Sequence, residues 1–357
     1  MKKLTVTALI LLMALALPGL LRAEKVGNLP EVMKPVSIKT DSTQLYITDG
    51  TAIHIYSLAP FSHIKTFGKR GEGPGEFRSV PYVTVYPHHL VINSMGKIQK
   101  FTRDGVFKEE VKLPFMFFYF YYPLLTVEDG NRYMSLRLEM SPEEKKFIFN
   151  ATLFDGKLKS LKRFYVGGSP QLLPPRRGGS PQKVDFDVVY DCLDMAVAYN
   201  RFFIADSRKG FFISVFDQQG NLLYEIKKNY NKLKIPEEFK EGYMREIRNS
   251  PQWENLKKTF NYKFKEYFPA FFSFKIRNRK IYVTTYEKKG NRYEIVVLDL
   301  EGNILKQSFS FPLHPLERMS PQFISYSNDY DIVNDRLYYL LENNSTEEWE
   351  LHVTEIK

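Results

Sequence analysis

A short pattern recurs six times along the chain and constrains the fold more than any other feature. Each copy is a polar turn followed by a short run rich in Tyr, Ile, Val and Phe, which is typical of a β-strand entered from a tight turn. The basic unit is about 45 residues, and insertions lengthen some units, as in repeat architectures. The copies lie at residues 41–48, 86–92, 128–135, 199–205, 277–284 and 333–340.

Each copy is followed by a second run in which apolar and polar residues alternate, and most of these runs end in an Asp/Gly turn. Gly supplies the positive φ that a tight hairpin needs, and Asp hydrogen-bonds its own following backbone. A third strand follows in five units, and a further short strand precedes most of the polar turns. Four antiparallel strands per unit predict an all-β fold, a six-bladed β-propeller of four-stranded blades.

The last unit lacks its outer strand, because the sequence ends at Lys357 directly after the run at 349–356. An open blade would leave an unpaired edge and an unclosed ring. We therefore expect residues 24–33 to pair beside this run and close the circle. The alternative is a disordered amino-terminal tail and a three-stranded last blade.

The first residues predict export. Lys2 and Lys3 precede a largely apolar run at 4–21, and the small residue Ala23 follows, which is the pattern of a secretory signal peptide. We expect a signal at 1–23 and a propeller at 24–357, located in the periplasm or outside the cell. The alternative is an uncleaved anchor. No later stretch is both long and apolar enough to suggest a membrane span after the signal is removed.

The full chain has a net charge of +10, which favours acidic partners such as a protein or an anionic polymer of the envelope. Nucleic acid is disfavoured because the chain is expected to be exported and its lysines are scattered. Cys192 is the single cysteine, so no disulfide within the chain is expected and the core alone must hold the fold. We expect Cys192 to be a small buried core residue rather than a nucleophile.

The segment Thr66-Phe-Gly-Lys-Arg-Gly-Glu-Gly-Pro-Gly-Glu-Phe77, followed by Pro81 and the strand at 90–92, resembles the inter-blade segment of NHL-repeat and TolB-like six-bladed propellers. Pro81 comes one residue later than in that family, and the other junctions lack the motif. The segment at 268–283 also resembles bacterial exported six-bladed propellers. The resemblance implies the fold and export. Some members of the wider group are lactonases, arylesterases or an amidating lyase, but most are binding scaffolds.

Four long links from an outer strand to the next inner strand should share one face of the propeller, at 68–78, 114–123, 167–183 and 229–267. The Gly-rich first link lacks the Lys-Ser/Thr of a phosphate-binding loop, so a structural turn is favoured. The aromatic second link predicts a stacking platform if exposed and core if buried. The adjacent arginines of the third suit carboxylates or phosphates, unless the loop is merely solvated. The candidate ligand-binding residues are Arg70, Tyr119, Arg176, Arg177 and Trp253.

The fourth link contains the only clearly helical pattern and predicts a small helical insertion at about 230–267, between blades four and five. Pro236 opens a segment with apolar residues at four-residue spacing, and Ser250-Pro251 precedes a second. The predicted stripes are Phe239, Tyr243 and Ile247, and then Trp253, Leu256 and Phe260. We expect either a pair lying across the face as a lid or docking surface, or a stripe that packs on the blades.

Catalytic and metal patterns are weak, so no catalytic residue, metal or cofactor is predicted. His88 and His89 lack carboxylates at ligand spacing, and Asp329, Asp331 and Asp335 lack the Gly and Glu of a calcium loop. The leading hypothesis is a non-catalytic exported propeller that binds a protein or polymer through its loop-rich basic face. The alternative is a calcium-dependent hydrolase or lyase at the channel mouth, although its candidate ligands cluster in one unit, at Asp187, Asp191 and Asp194. A passive envelope component is a third possibility.

Overall fold

The computed structural model describes residues 23–113, 125–126, 132–141, 146–167, 183–189, 191–312 and 330–357. Within them, hydrogen-bonded strands form six four-stranded antiparallel sheets and one two-stranded parallel sheet. The predicted all-β, six-bladed propeller is therefore confirmed. Residues 1–22, which make up most of the signal predicted at 1–23, lie outside the described residues.

Each blade is a meander in which consecutive strands are neighbours. The first blade contains β2 to β5 and the second β6 to β9. After β1 (Glu24–Asn28), their bounds are β2 (Pro35–Thr40), β3 (Gln44–Asp49), β4 (Ala52–Leu58), β5 (Phe61–Phe67), β6 (Tyr82–Val85), β7 (Leu90–Ser94), β8 (Lys97–Phe101) and β9 (Phe107–Lys112).

Blade three contains β10 to β13, and blade four contains β15 to β18. The strand between them, β14, belongs to the parallel sheet. The bounds are β10 (Leu125–Thr126), β11 (Arg132–Ser141), β12 (Lys146–Asp155), β13 (Ser160–Gly167), β14 (Val184–Asp187), β15 (Leu193–Ala198), β16 (Arg201–Asp206), β17 (Phe211–Phe216) and β18 (Leu222–Lys228).

The helical insertion follows blade four, and blades five and six complete the ring. Blade six has the order β1-β26-β25-β24. The bounds are α1 (Glu237–Asn249), α2 (Trp253–Thr259), β19 (Phe260–Lys263), β20 (Ser273–Arg277), β21 (Lys280–Lys289), β22 (Arg292–Asp299), β23 (Ile304–Phe311), β24 (Tyr330–Val333), β25 (Arg336–Asn343) and β26 (Glu348–Glu355).

The amino-terminal segment closes the ring as predicted. β1 pairs antiparallel with β26, from Glu24 opposite Val353 to Asn28 opposite Glu350. Beyond the strand, Leu29 and Val32 are buried in a core cluster that also holds residues of blades one and six. The three-stranded alternative is thus wrong for the last blade, because this edge of β26 is paired.

The core lies between neighbouring blades, since each sheet buries residues on both faces. One cluster joins Phe203 and Ile213 of blade four to Ile281 and Val283 of blade five. Strands buried on both faces are expected to be rich in β-branched and aromatic residues throughout. The runs that follow the polar turns in the six repeats have this composition. Cys192 belongs to this cluster and is 1% exposed, so the prediction of a buried core cysteine is confirmed.

The insertion contains both predicted helices. α1 begins after Pro236, and Glu237 and Glu238 in its first turn complement the helix dipole. Tyr243 and Ile247 are buried against the blades, as the stripe predicted. Phe260 was expected in the stripe of the second helix and this was wrong.

Phe260 is extended and begins β19, because its backbone pairs in parallel with β14, from Val184 opposite Phe260 to Asp187 opposite Lys263. This small sheet joins the link between blades three and four to the link between blades four and five. These two links therefore lie on the same face, as expected. No helix in the described ranges is long and apolar enough to span a membrane.

Candidate functional site

The first strand of each blade is an edge strand of its sheet, so six inner strands surround the central channel. Four of them carry charged residues: Lys39 on β2, Asp194 on β15, Lys275 and Arg277 on β20, and Asp331 on β24. We call these five residues the channel cluster, which draws on blades one, four, five and six.

Asp331 joins three blades. It is 0% exposed, and its Oδ2 atom accepts hydrogen bonds from the Thr40 amide of blade one at 2.9 Å and from the Arg277 guanidinium of blade five at 3.3 Å. Its Oδ1 atom accepts from its neighbour, the Ile332 amide, at 3.0 Å. Burial raises the pKa of this carboxyl, but Arg277, Lys39 and Lys275 outweigh burial, so the pKa lies below its ordinary value.

Lys275 carries an amine whose pKa is well below its ordinary value. Burial, together with the nearby cations Lys39 and Arg277, lowers the pKa of Lys275 to about 7, although Asp331 and Asp194 act in the opposite direction. Its Nζ atom lies 4.5 Å from the ring centroid of Tyr330. The amine is therefore partly neutral near pH 7.

Lys39 is 6% exposed, and its Nζ atom lies 5.3 Å from the ring centroid of Tyr82 on blade two. Burial lowers the pKa of Lys39, Asp331 and Asp194 raise it, and Arg277 lowers it further, with a net decrease. Within the described part of the chain, Lys39 forms neither an ion pair nor a hydrogen bond through its ammonium group. A buried ammonium without a hydrogen-bonded counter-charge is costly, because it has lost its water.

Asp194 is the carboxylate that remains for the two lysines. Burial raises its pKa, while the Met195 amide, Lys275 and Lys39 lower it less, so the net change is upward. Because Asp331 is bonded to Arg277 and to two backbone amides, the cluster holds two amines against this one carboxylate. When every group is ionised, the channel cluster has a net charge of +1. This charge favours binding of an anionic group in the channel.

The predicted first link is a closed turn, which agrees with the structural interpretation of its glycines. The Gly73 amide donates to the Glu76 carboxylate at 2.9 Å, and Lys97, which is 4% exposed, donates to the carbonyl oxygens of Glu72 and Gly73. The Gly73 amide is thus already hydrogen-bonded within the link and is not available to bind a phosphate. Arg70 lies in this link and is exposed.

Trp253, at the start of α2, is half-buried, with its ring 6.4 Å from that of Tyr262 on β19. Tyr119, Arg176 and Arg177 lie outside the described residues. A ligand-binding role for Arg70, Tyr119, Arg176, Arg177 and Trp253 stays a prediction.

The apolar stripe of the insertion is packed on the blades. The ring of Phe239 lies 5.0 Å from Phe268, which in turn stacks 4.4 Å from Tyr286 of blade five. Of the two arrangements that the sequence allowed, packing on the blades is the one observed for these residues.

No three of the described acidic residues weighed as calcium ligands come together, although Asp194 and Asp331 both belong to the channel cluster, and Asp329 lies outside the described residues. Asp191 pairs with Lys265 at 2.5 Å, whereas Asp194 belongs to the channel cluster. Asp335 accepts from Lys280 at 2.5 Å and from the Tyr282 hydroxyl at 2.7 Å. Among the described residues no group of three or more His, Cys, Asp or Glu side chains could hold a metal ion.

Sequence reasoning missed Lys39, Lys275 and Arg277 as site residues. The sequence does contain a pattern that could have identified them. These cations lie within the short apolar strands that precede polar turns, in Ser-Ile-Lys39-Thr and Phe-Lys275-Ile-Arg277. An alternating pattern of this kind is also that of an ordinary strand with one solvated face. Only closure of the ring turns that face into a channel.

The sequence matches no known protein-family model and no curated protein sequence. Its fold is similar at low identity to solved structures, among them a β-propeller domain. A β-propeller domain of Cps50 (Swd1) from Myceliophteria thermophila is 8% identical, with 93% of this chain and 99% of that chain covered and a TM-score of 0.38. The WD40 domain of Pan2 from Neurospora crassa is 9% identical, with 91% and 90% covered and a TM-score of 0.43. A protein of unknown function from Bacteroides caccae is 10% identical, with 85% of each chain covered and a TM-score of 0.36.

Proposed function

We propose that this protein is an exported, non-catalytic binding module whose channel receives an anionic group of a protein or polymer partner. The observation that carries the proposal is Lys39, an ammonium group buried in the channel without an ion pair in the described part of the chain. Proteins rarely bury a lysine without a counter-charge. A ligand carboxylate or phosphate would provide that counter-charge.

Anion binding would also act on Lys275. An anion in the channel favours the charged form of the amine, so its pKa would rise from about 7 and the protein would take up protons on binding. Proton uptake therefore distinguishes binding in the channel from binding at solvated lysines elsewhere on this basic chain.

The charge of the cluster argues against Ca²⁺ in the channel. Asp194 and Asp331 do converge from blades four and six, but Asp331 is already bonded to Arg277, and two lysines lie beside them. A divalent cation would meet three positive side chains there. The same groups suit an anion.

The binding test uses residues 24–357 and the peptide hexaglutamate as the probe, measured by calorimetry in two buffers of different ionisation enthalpy. We expect saturable binding with proton uptake at pH 7.5. Lys39→Met, which keeps the length of the side chain, should weaken binding at least tenfold. Lys34→Met removes an exposed lysine from the same strand region and should bind like the wild type.

Equal affinity of the Lys39→Met and Lys34→Met proteins, or binding without proton uptake, would contradict a channel site. Export is tested separately by sequencing the amino terminus of the protein recovered from the native host. Cleavage after Ala23 gives a mature chain that begins at Glu24, whereas an intact Met1 in the cytoplasmic fraction would contradict export.

A further inference from the structure

A cavity that shares no lining residue with the channel cluster lies between blades four and five. It has a volume of about 430 Å³ and is lined by residues of β17, β18, β21, β22 and β23 and by both ends of the helical insertion. Cavities of this size accommodate small organic ligands or a single long side chain.

The insertion fixes one wall of this cavity. Its two arms pair side by side, with the Ile235 amide donating to Glu266 O and the Phe268 amide donating to Leu233 O, both at 2.9 Å. Leu233 faces the cavity. Because backbone hydrogen bonds hold this wall, the cavity is already formed before a ligand arrives, which lowers the entropic cost of binding.

The carboxylates of Glu287 and Glu294 line the cavity, and the Thr285 hydroxyl links the Glu294 carboxylate to the Glu287 backbone. The Thr285 hydroxyl donates to Glu294 Oε2 at 2.8 Å and accepts from the Glu287 amide at 3.2 Å. Asn231, from the first arm of the insertion, donates to Glu287 Oε1 at 3.2 Å. Neither Glu287 nor Glu294 is ion-paired with any described residue, although Lys228 also lines the cavity.

Glu294 lies in surroundings that oppose its negative charge. Burial raises its pKa, the Thr285 hydrogen bond lowers it, and the negative charge of Glu287 raises it further, with a net increase. A cation placed between the two carboxylates would reverse the effect of both burial and repulsion.

The remaining walls select the kind of cation. Phe211, Tyr230 and Phe309 line the same cavity, and the Tyr230 ring is held against the backbone at Gly210, where an added Cβ would come within 3.1 Å of the ring. Aromatic faces attract ammonium and guanidinium groups, whereas small metal ions favour a shell of oxygen ligands. Acidic groups set among aromatic rings therefore suit an organic cation.

We infer that this cavity, the amine cavity, binds a primary ammonium or guanidinium group, carried either by a free amine or by a basic side chain of a partner protein. Glu294 and Glu287 hold the cation, and the aromatic walls contact its alkyl stem. The site is independent of the channel cluster, which has the opposite charge preference.

The test titrates residues 24–357 with agmatine, which carries both cationic groups, and with the peptide Gly-Gly-Lys-Gly-Gly. The same peptide with norleucine in place of lysine serves as the uncharged control. We expect at least one cationic probe to bind saturably, and the norleucine peptide to bind at least tenfold more weakly than the lysine peptide where that peptide binds. A preference for agmatine identifies a free amine as the ligand, and a preference for the lysine peptide identifies a side chain.

The variants locate the binding. Glu294→Gln keeps the shape of the side chain and should weaken binding of the preferred probe at least tenfold, as should Glu287→Gln. Glu301→Gln removes the same charge from an exposed turn of the same blade and should leave the affinity unchanged. The inference is overturned if neither cationic probe binds the wild type, or if both cavity variants, folded as judged by thermal melting, bind like the Glu301→Gln protein.

Discussion

The carboxylate of Asp206 on blade four accepts a hydrogen bond from the hydroxyl of Tyr165 on blade three. Asp206 is fully buried, and its other partner is the guanidinium of Arg208, two residues further along the chain. Burial raises the pKa of Asp206, but Arg208 and Tyr165 outweigh burial, so this pKa lies below its ordinary value. An ionised carboxylate therefore joins these two blades inside the ring.

Asp206→Asn is expected to destabilise the fold by roughly 2 kcal/mol, because the buried hydrogen bonds lose their charge and Arg208 loses its partner. Urea unfolding at pH 7 measures the effect. Glu225→Gln, which removes a surface ion pair with Lys227 on the same blade, should change stability by less than about 0.5 kcal/mol.

The same variant has a pH signature. A carboxyl whose folded pKa is depressed stabilises the fold above its unfolded pKa of about 4, and this contribution is lost as the pH falls through the lower folded pKa. The difference in unfolding free energy between wild type and Asp206→Asn should therefore shrink between pH 5 and pH 2.5. A difference that stays constant across this range would show that the charge of Asp206 contributes nothing.

Gly302 occupies the turn between β22 and β23 with a φ of 94°, and an added Cβ would lie 2.8 Å from Ile226 of blade four. Gly302→Ala should thus combine backbone strain with a clash between blades and cost about 2–3 kcal/mol. Gly290 has a φ of 61° with nothing within 4 Å of its added Cβ, so Gly290→Ala should cost only about 1 kcal/mol. Equal melting temperatures of the two variants would contradict the close approach of the blades at Gly302.

The strands were predictable because their determinants are local. Turns such as Asp299 to Gly302 are recognisable from their Asp and Gly residues. The strands beside them either alternate apolar and polar residues or are apolar throughout. Closure by residues 24–28 was predictable for a different reason, since a propeller that lacks one outer strand leaves an edge that some other segment must pair.

The site could not be predicted in the same way. Lys39 and Asp331 are nearly three hundred positions apart in the sequence, and only the closed ring brings the Thr40 amide to Asp331. The prediction that Phe260 lies in the second helix was wrong for the same reason. Its strand partner Val184 lies in another link, and no pattern around Phe260 reveals that pairing. Local periodicity decides the elements, but contacts between blades decide where charges meet.

Removing residues 24–33 tests the closure. The deletion takes away β1, leaves the edge of β26 unpaired and removes the buried side chains of Leu29 and Val32. We expect a loss of at least about 3 kcal/mol of stability, together with concentration-dependent association through the exposed edge. Thermal melting and gel filtration measure the two effects.

A substitution within β1 is the matched control for the deletion. Lys25→Ala removes a surface ion pair with Glu350 but keeps the strand, so it should leave the protein monomer-like in elution and shift stability by less than about 1 kcal/mol. If the deleted protein elutes and melts like the Lys25→Ala protein, the strand does not close the ring.

Lys275 predicts an unusual dependence of stability on pH. Its pKa is about 7 in the folded protein, whereas an unfolded lysine titrates near 10.4. Between these values the unfolded chain binds more protons than the folded one, so unfolding free energy due to this group rises with pH from about 7 to about 10. Below pH 7 both states are protonated, and the full cost of the buried charge is present.

Replacing Lys275 with Met removes this cost. We expect Lys275→Met to be more stable than the wild type by roughly 2 kcal/mol at pH 6, after allowing for partial solvent screening, and the gain to fall toward zero near pH 10. Urea unfolding of both proteins across this range measures it, with Lys34→Met as the exposed control that should show no such trend. A Lys275→Met protein whose stability relative to wild type is independent of pH would mean that Lys275 stays protonated in the channel, and the proton uptake expected on anion binding would then have no source in this residue.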